Sequence, residues 1–390
     1  AYDLRPGDTV HVDTGSYPMI DPVAVSGLVA GAPAVSLLAG PGMGTDFGFT
    51  ITGPQDPAFV ARLFPAIPGD RSRALIDLND ADFVTLSHLT LENAQRGVNA
   101  HTGSDSLNFS HLTASGHALQ GINVSGTASS FGVFDELVTF SNGDDGVQIS
   151  GSIGSLTNAL SYGNAQRGFD IAARVYGSIA DNTARNNASW GLYLDGTGAG
   201  SVQRNVVHNN ANGLYVVNNV GGTTTLVGDI DVAAGNGNRV YANSGAGIQA
   251  WYGVTIAGNT VHGHIGTNAV GIYGYSNVSA RSNVVFGNSN GIELWYGGVA
   301  ATNRVYANAG RGLDLNAVDG VGNVAYSNAV GIRSNTVNNG ARELRNNLVY
   351  ANSQTGILGG GANLTVINNT VLANTAGDAL RIQDASQARV

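Results

Sequence analysis

The residues of this 390-residue chain best placed to do chemistry are carboxylates and aromatics that recur at fixed offsets from a repeated glycine. Glu293 and Asp314 each stand two residues after such a glycine, Gly291 and Gly312. If successive glycines mark successive coils of a stacked chain, the two side chains lie about 5 Å apart, the separation of the carboxyl pair in a retaining glycoside hydrolase. Like charges that close would also raise one pKa, as a general acid requires. The same spacing fits a surface ladder of acids relieved by Arg311 and Arg333. Asp170 and Asp195 take related offsets from Gly168 and Gly191 and join the acid–base candidates. A second constellation, Asn142-Gly143-Asp144-Asp145-Gly146, comes one unit before Arg167-Gly168-Phe169-Asp170. Its double aspartate suits a Ca2+ site through Asp144 and Asp145, acid–base work by Asp145, or an ordinary turn.

Aromatics collect at the same offsets. Two residues after the glycines the middle of the chain reads Tyr193, Tyr215, Gln249, Tyr273, Glu293, Asp314, Arg333; four residues after, it reads Asp195, Val217, Trp251, Tyr275, Trp295. Sugar rings stack on exposed aromatic faces while amides, carboxylates and guanidinium groups bond their hydroxyls. Tyr193, Tyr215, Gln249, Trp251, Tyr273, Tyr275, Trp295, Arg167 and Arg333 are therefore the expected substrate contacts. Packing of the rings under a loop, such as an insertion near 218–237, is the other way to use them.

What positions these residues is a repeat. A unit Asn-x-Val-[Tyr/Phe/His]-x-Asn, followed by Gly-[Ile/Leu/Val], runs down most of the chain. Its glycine stands at 97, 121, 146, 168, 191, 213, 247, 271, 291, 312, 331 and 356, with Ala379 in the same slot. Stretches such as Gly291-Ile-Glu-Leu-Trp295 alternate apolar and polar residues, which is strand periodicity. Strands so short are stable only when stacked coils bury one continuous core. The expectation is an all-β, single-stranded right-handed parallel β-helix, a solenoid of roughly thirteen coils. The second Asn of each unit, from Asn187 to Asn374, is expected in an internal ladder that uses the tolerance of Asn for left-handed backbone, with the glycine supplying positive φ at the corner. His208 and His262 share a slot with Tyr241, Phe286, Tyr306, Tyr326 and Tyr350, a structural stack. Residues 1–75 fit the repeat poorly and are read as first coils plus an N-terminal cap with a loop over 39–73; 76–390 is one continuous helix domain.

Composition removes several alternatives. Lysine and cysteine are absent, so no Lys base, Schiff base or disulfide is available. A net charge of −9 disfavours a nucleic-acid partner. No apolar run reaches membrane-spanning length. The abrupt opening Ala1-Tyr2-Asp3-Leu4 reads as part of a larger multidomain chain.

Over roughly residues 76–385 the repeat resembles the pectin-lyase-like right-handed β-helix superfamily. Within it, Leu137 to Val147 and Asn158 to Asp170 look most like the catalytic module of mannuronan C5-epimerases and related alginate lyases. Gly143-Asp144-Asp145-Gly146 is also similar to a polygalacturonase motif. Where the epimerase family carries Tyr-Gly-Phe-Asp-Pro-His, this chain reads Gln120-Gly121-Ile122-Asn123-Val124-Ser125, without that catalytic set. The resemblance implies an extracellular or cell-surface protein that binds a uronate or other polysaccharide, and, as an enzyme, a lyase, glycoside hydrolase or epimerase. The alternative is a non-catalytic structural or adhesive repeat of a large bacterial surface protein.

Overall fold

The computed structural model describes residues 8–26, 49–125, 132–196, 198, 200–219, 225–336, 342–361, 363–372, 377–383 and 388–389. The chain forms two compact units, Ala1–Leu194 and Asp195–Val390, each built from parallel coils. Apart from one short 3-10 turn at Val232–Ala234, the described regular structure is strand.

In the first unit each coil contributes three short strands. One sheet runs through Ile76–Asn79, Val98–His101, Ile122–Val124, Val147–Thr157 and Phe169–Val175, paired in parallel with each residue opposite its counterpart one coil on. Period-2 alternation turns Ile76, Val98, Ile122, Val147 and Phe169 into the core, where all are fully buried. The intervening side chains, Asp77, Asn99, Asn123, Gln148 and Asp170, line the outer face in that order. Residues before 76 supply the first coils: Thr9–His11 pairs with Thr50–Thr52, and Gly15–Met19 with Ala61–Pro65. A separate capping element is not found among the described residues, and the expected loop up to residue 48 lies outside them.

The second unit repeats the scheme. Asn212–Val217, Ile248–Trp251, Val270–Tyr275, Asn290–Trp295, Arg311–Asn316, Val330–Thr336 and Thr355–Gly361 pair in parallel. Leu214, Ile248, Ile272, Ile292, Leu313, Ile332 and Ile357 form its buried row. On another side of the coils His208, Tyr241, His262, Phe286, Tyr306, Tyr326 and Tyr350 stack ring on ring, with neighbouring planes within 9°. The expected insertion contains the strand Leu226–Gly228 and the 3-10 turn; residues 220–224 lie outside the described ones.

Asparagine ladders form at both Asn positions of the repeat, not only at the second. Asn205 donates to Asn238, Asn238 to Asn259, Asn259 to Asn283, Asn283 to Asn303 and Asn303 to Asn323, each from Nδ2 to Oδ1 at 2.8–3.0 Å. Asn288, Asn308, Asn328 and Asn352 make the second ladder; Asn374 lies outside the described residues. Two histidines replace Asn in the second ladder's slots, His117 in the first unit and His264 in the second.

Two sequence expectations about backbone shape are corrected. The left-handed residue is the one before the ladder Asn in most rungs, as at Ser282, Thr302, Ala307, Ser327 and Ala351, with φ between 52° and 55°. The corner glycines do not have positive φ. They are glycine because coils approach too closely there: a Cβ on Gly312 would lie 2.6 Å from the Gly331 carbonyl oxygen.

Candidate functional site

The outer face of the second unit carries the two lines read from the sequence, residue for residue. Tyr215, Gln249, Tyr273, Glu293, Asp314 and Arg333 are successive register partners, as are Val217, Trp251, Tyr275, Trp295 and Asn316. Strand alternation places both lines on the outer side, because the intervening residues, such as Ile248, Ala250, Ile292 and Leu294, fill the core. Trp251 lies with its ring centroid 5.8 Å from Tyr273 and 5.1 Å from Tyr275, planes tilted by 57° and 44°. These rings are part-buried. The Trp251 indole N–H is buried and has no acceptor among the described residues.

Sequence reading missed two members of this surface. Tyr252 and Tyr296 follow Trp251 and Trp295 and are among the exposed large side chains. Tyr296 meets Tyr275 edge-on at 5.2 Å. Both sit in the left-handed region, at φ 60° and 59°, which is strained for a bulky residue. The signal was the repeated triplet Trp-Tyr-Gly at 251–253 and 295–297. Ser276 and Ala317 are left-handed at the same turn position, so the conformation belongs to the repeat and the ring is what these two coils add to it.

Glu293 and Asp314 are adjacent in register as expected, but each carboxylate is already engaged. Asp314 is 2% exposed. Its Oδ2 accepts from Arg311 Nη1 at 2.7 Å and Arg333 Nη1 at 3.2 Å, and its Oδ1 from Asn316 Nδ2 at 3.2 Å. Both of its oxygens are thus occupied by donors. Glu293 accepts the Trp295 indole N–H at 2.7 Å. The Glu293 charge and, above all, burial push the Tyr273 hydroxyl above its usual pKa. Asp195 lies apart from this pair, its Oδ1 accepting from Asn219 Nδ2 at 2.6 Å.

The first unit gathers the other candidates. Arg167 Nη1 donates to Asp170 Oδ2 at 2.5 Å, and its guanidinium lies 4.0 Å from the Tyr193 ring centroid. Gln148 Nε2 also reaches Asp170, at 3.3 Å. The Arg167 backbone N–H donates to Asp145 Oδ1 at 2.7 Å, while Asp144 accepts from Gln120 Nε2 at 2.6 Å. Burial pushes the Asp145 carboxyl up to about 7; the Arg167 N–H opposes the rise and the Asp170 and Asp144 charges add to it. A carboxyl that titrates near neutrality can take or give a proton. At 3% exposure, though, Asp145 is hidden from any polymer lying on the surface. Among the described residues no group of three or more His, Cys, Asp or Glu is arranged to hold a metal ion.

Both units therefore contain the same device, Arg167-Gly168-Phe169-Asp170 and Arg311-Gly312-Leu313-Asp314, in which an arginine just before the corner glycine turns back onto a buried aspartate three residues on.

Residues 136–264 match the family model described as right handed beta helix region. No curated protein sequence matches the chain. Among solved structures, the mannuronan C-5 epimerase AlgE4 A-module of Azotobacter vinelandii is 15% identical, over 88% of this chain and 91% of that one, with a TM-score of 0.47. The AlgE6 A-module of the same organism is 14% identical over 96% and 90%, TM-score 0.36. Pectate lyase Pel9A is 12% identical over 95% and 72%, TM-score 0.26. No described helix is long and apolar enough to cross a membrane.

Proposed function

We propose that this right-handed parallel β-helix binds a polysaccharide along the aromatic face of its second unit, and that it binds without cleaving. The observation that carries the reading is the in-register run of part-buried rings, Trp251, Tyr273, Tyr275 and Trp295, extended by the exposed Tyr252 and Tyr296. An apolar surface of that kind with polar groups at its edge matches the alternating apolar faces and hydroxyl rims of pyranose rings. Binding is favoured over turnover because hydrolysis by a carboxyl pair needs two groups free to exchange protons or attack. Asp314 is locked by two arginines, which leaves Glu293 without a free carboxylate beside it. A polymer of this class is met outside the cell, and the reading places the chain there.

The test is calorimetry with a panel of soluble oligosaccharides, alongside assays for new reducing ends and unsaturated uronate. At least one sugar is expected to bind, without turnover. Trp251→Ala is expected to weaken that binding at least tenfold, equivalent to about 1.4 kcal/mol. Release of reducing ends by the pure protein would overturn the non-catalytic reading, and unchanged affinity in Trp251→Ala would remove the face from it.

Tyr252 gives a sharper discrimination between a binding ring and a structural one. Tyr252→Gly relieves the left-handed backbone, so the thermal midpoint should hold or rise, by about 1 kcal/mol of stability at most. Sugar affinity should nevertheless fall several-fold. A loss of stability instead would mean that the ring serves the fold.

A further inference from the structure

We infer that the polymer taken by this face is a neutral glycan and not a polyuronate, an inference that rests on the binding reading above. Recognition of a sugar carboxylate calls for a free guanidinium fork or its equivalent near each acidic ring. The two lines Tyr215, Gln249, Tyr273, Glu293 and Val217, Trp251, Tyr275, Trp295 contain no arginine or histidine, and the chain has no lysine. Their only formal charge is the carboxylate of Glu293, which repels an anionic chain. The nearest cations along the register are Arg311 and Arg333, and both direct Nη1 onto Asp314 Oδ2, at 2.7 and 3.2 Å.

Asp314 thus stands where the carboxylate of a uronate would have to go. It is nine-tenths buried and more, and Asn316 closes its other oxygen at 3.2 Å, so it is a fixed part of the wall. The charges of Glu293, Asp314, Arg311 and Arg333 sum to zero, which leaves no net attraction for an anionic polymer. Stacking on the rings and hydrogen bonds from Gln249, Tyr273 and Glu293 remain, and these serve hydroxyl-rimmed, uncharged sugars.

The experiment compares calorimetric affinities of the whole chain for neutral hexasaccharides (cello-, xylo-, manno- and laminari-series) with those for oligogalacturonate and oligomannuronate of equal length. The expected result is that at least one neutral oligosaccharide binds at least tenfold more tightly than either uronate. Raising the salt concentration should leave neutral binding unchanged and strengthen, or not alter, the residual uronate binding, since it screens repulsion from Glu293. Asp314→Asn, which frees both guanidinium groups, should raise uronate affinity several-fold. A wild-type preference for a uronate, or uronate binding that weakens steeply with salt, overturns the inference while leaving polysaccharide binding in place. If no oligosaccharide of either kind binds, the binding reading itself falls, and the two failures are told apart. The wild-type comparison and its salt dependence stand whether or not Asp314→Asn folds.

Discussion

Asn303→Ala is expected to destabilise the second unit by about 4 kcal/mol, a large share of what a domain has to lose. Asn303 is fully buried. Its Oδ1 accepts from both the backbone N–H and the Nδ2 of Asn283, at 3.0 Å each, and its own Nδ2 donates to Ala280 O at 2.9 Å and Asn323 Oδ1 at 3.0 Å. Alanine removes all four bonds and leaves the Asn283 backbone N–H with no acceptor inside the coil, the more expensive half of the change. Asn369→Ala, at a part-buried rung near the end of the same ladder, is the control and should cost about half as much, because water reaches it. Urea unfolding midpoints of the two variants measure the difference. Equal losses, or a loss below about 1 kcal/mol at Asn303, would mean that the ladder is an accompaniment of the coils and not a support for them.

The second unit is also expected to weaken in mild acid through His264. This imidazole is fully buried, and burial pushes it down to about 4, against the pull of the Asn243 and Val240 carbonyls facing its ring nitrogens. In the unfolded chain the same group titrates near 6.5. The unfolded state therefore takes up a proton that the folded state refuses. Stability is full above pH 6.5 and declines as pH falls toward 4, by roughly 3 kcal/mol over the window. In the first unit His117, also held at about 4, loses stability in the same direction. Asp145 there has the opposite sign: at about 7 it retains its proton in the folded state, so its contribution is full below pH 3.8 and is lost as pH rises toward 7. The two offset each other between pH 4 and 6.5, and the second unit has no such counterweight among its described groups with large shifts. Hydrogen exchange in urea at pH 7.5 and 4.5, followed unit by unit, should show the second unit opening first in acid. His264→Asn restores the ladder residue and should flatten that dependence; an unchanged slope in the variant would assign the acid loss elsewhere.

The coil register was legible because the glycine and asparagine positions carry it directly. A strand's period of two then fixes which residues face out, so Tyr215 to Arg333 could be aligned from the sequence and stand opposite one another as read. The backbone reason for the glycines was not legible. A tight corner and a close approach both select Gly, and only the 2.6 Å from a Gly312 Cβ to the next carbonyl distinguishes them. The Glu293–Asp314 pair was seen as two like charges because sequence offsets place side chains on a face without saying what turns toward them. Arg311, the first residue of the strand, folds back across the corner onto Asp314. Tyr252 and Tyr296 were missed because a turn position immediately before a glycine or a glycine pair reads as loop, and nothing in strand periodicity extends to it. His264 stands in the second-Asn slot of the unit Asn259-Thr260-Val261-His262 and was readable from the repeat, whereas His117 follows Leu112-Thr113-Ala114, which lacks the Asn-x-Val pattern.

Those two buried imidazoles bear on how such a chain finds its partners while folding. A stack whose rungs were all asparagine would be nearly indifferent to displacement by one whole coil: each amide would meet another amide and each corner glycine another corner. A slipped chain would then be a deep kinetic trap. His264 breaks the equivalence. Its ring is larger than the amides of its Asn243 and Asn288 neighbours in the ladder. A coil inserted one place out of step would confront the imidazole with a cavity cut for an amide. In a molecule whose parts are otherwise interchangeable, the odd residue in the ladder acts as a key that admits one alignment of the coils around it.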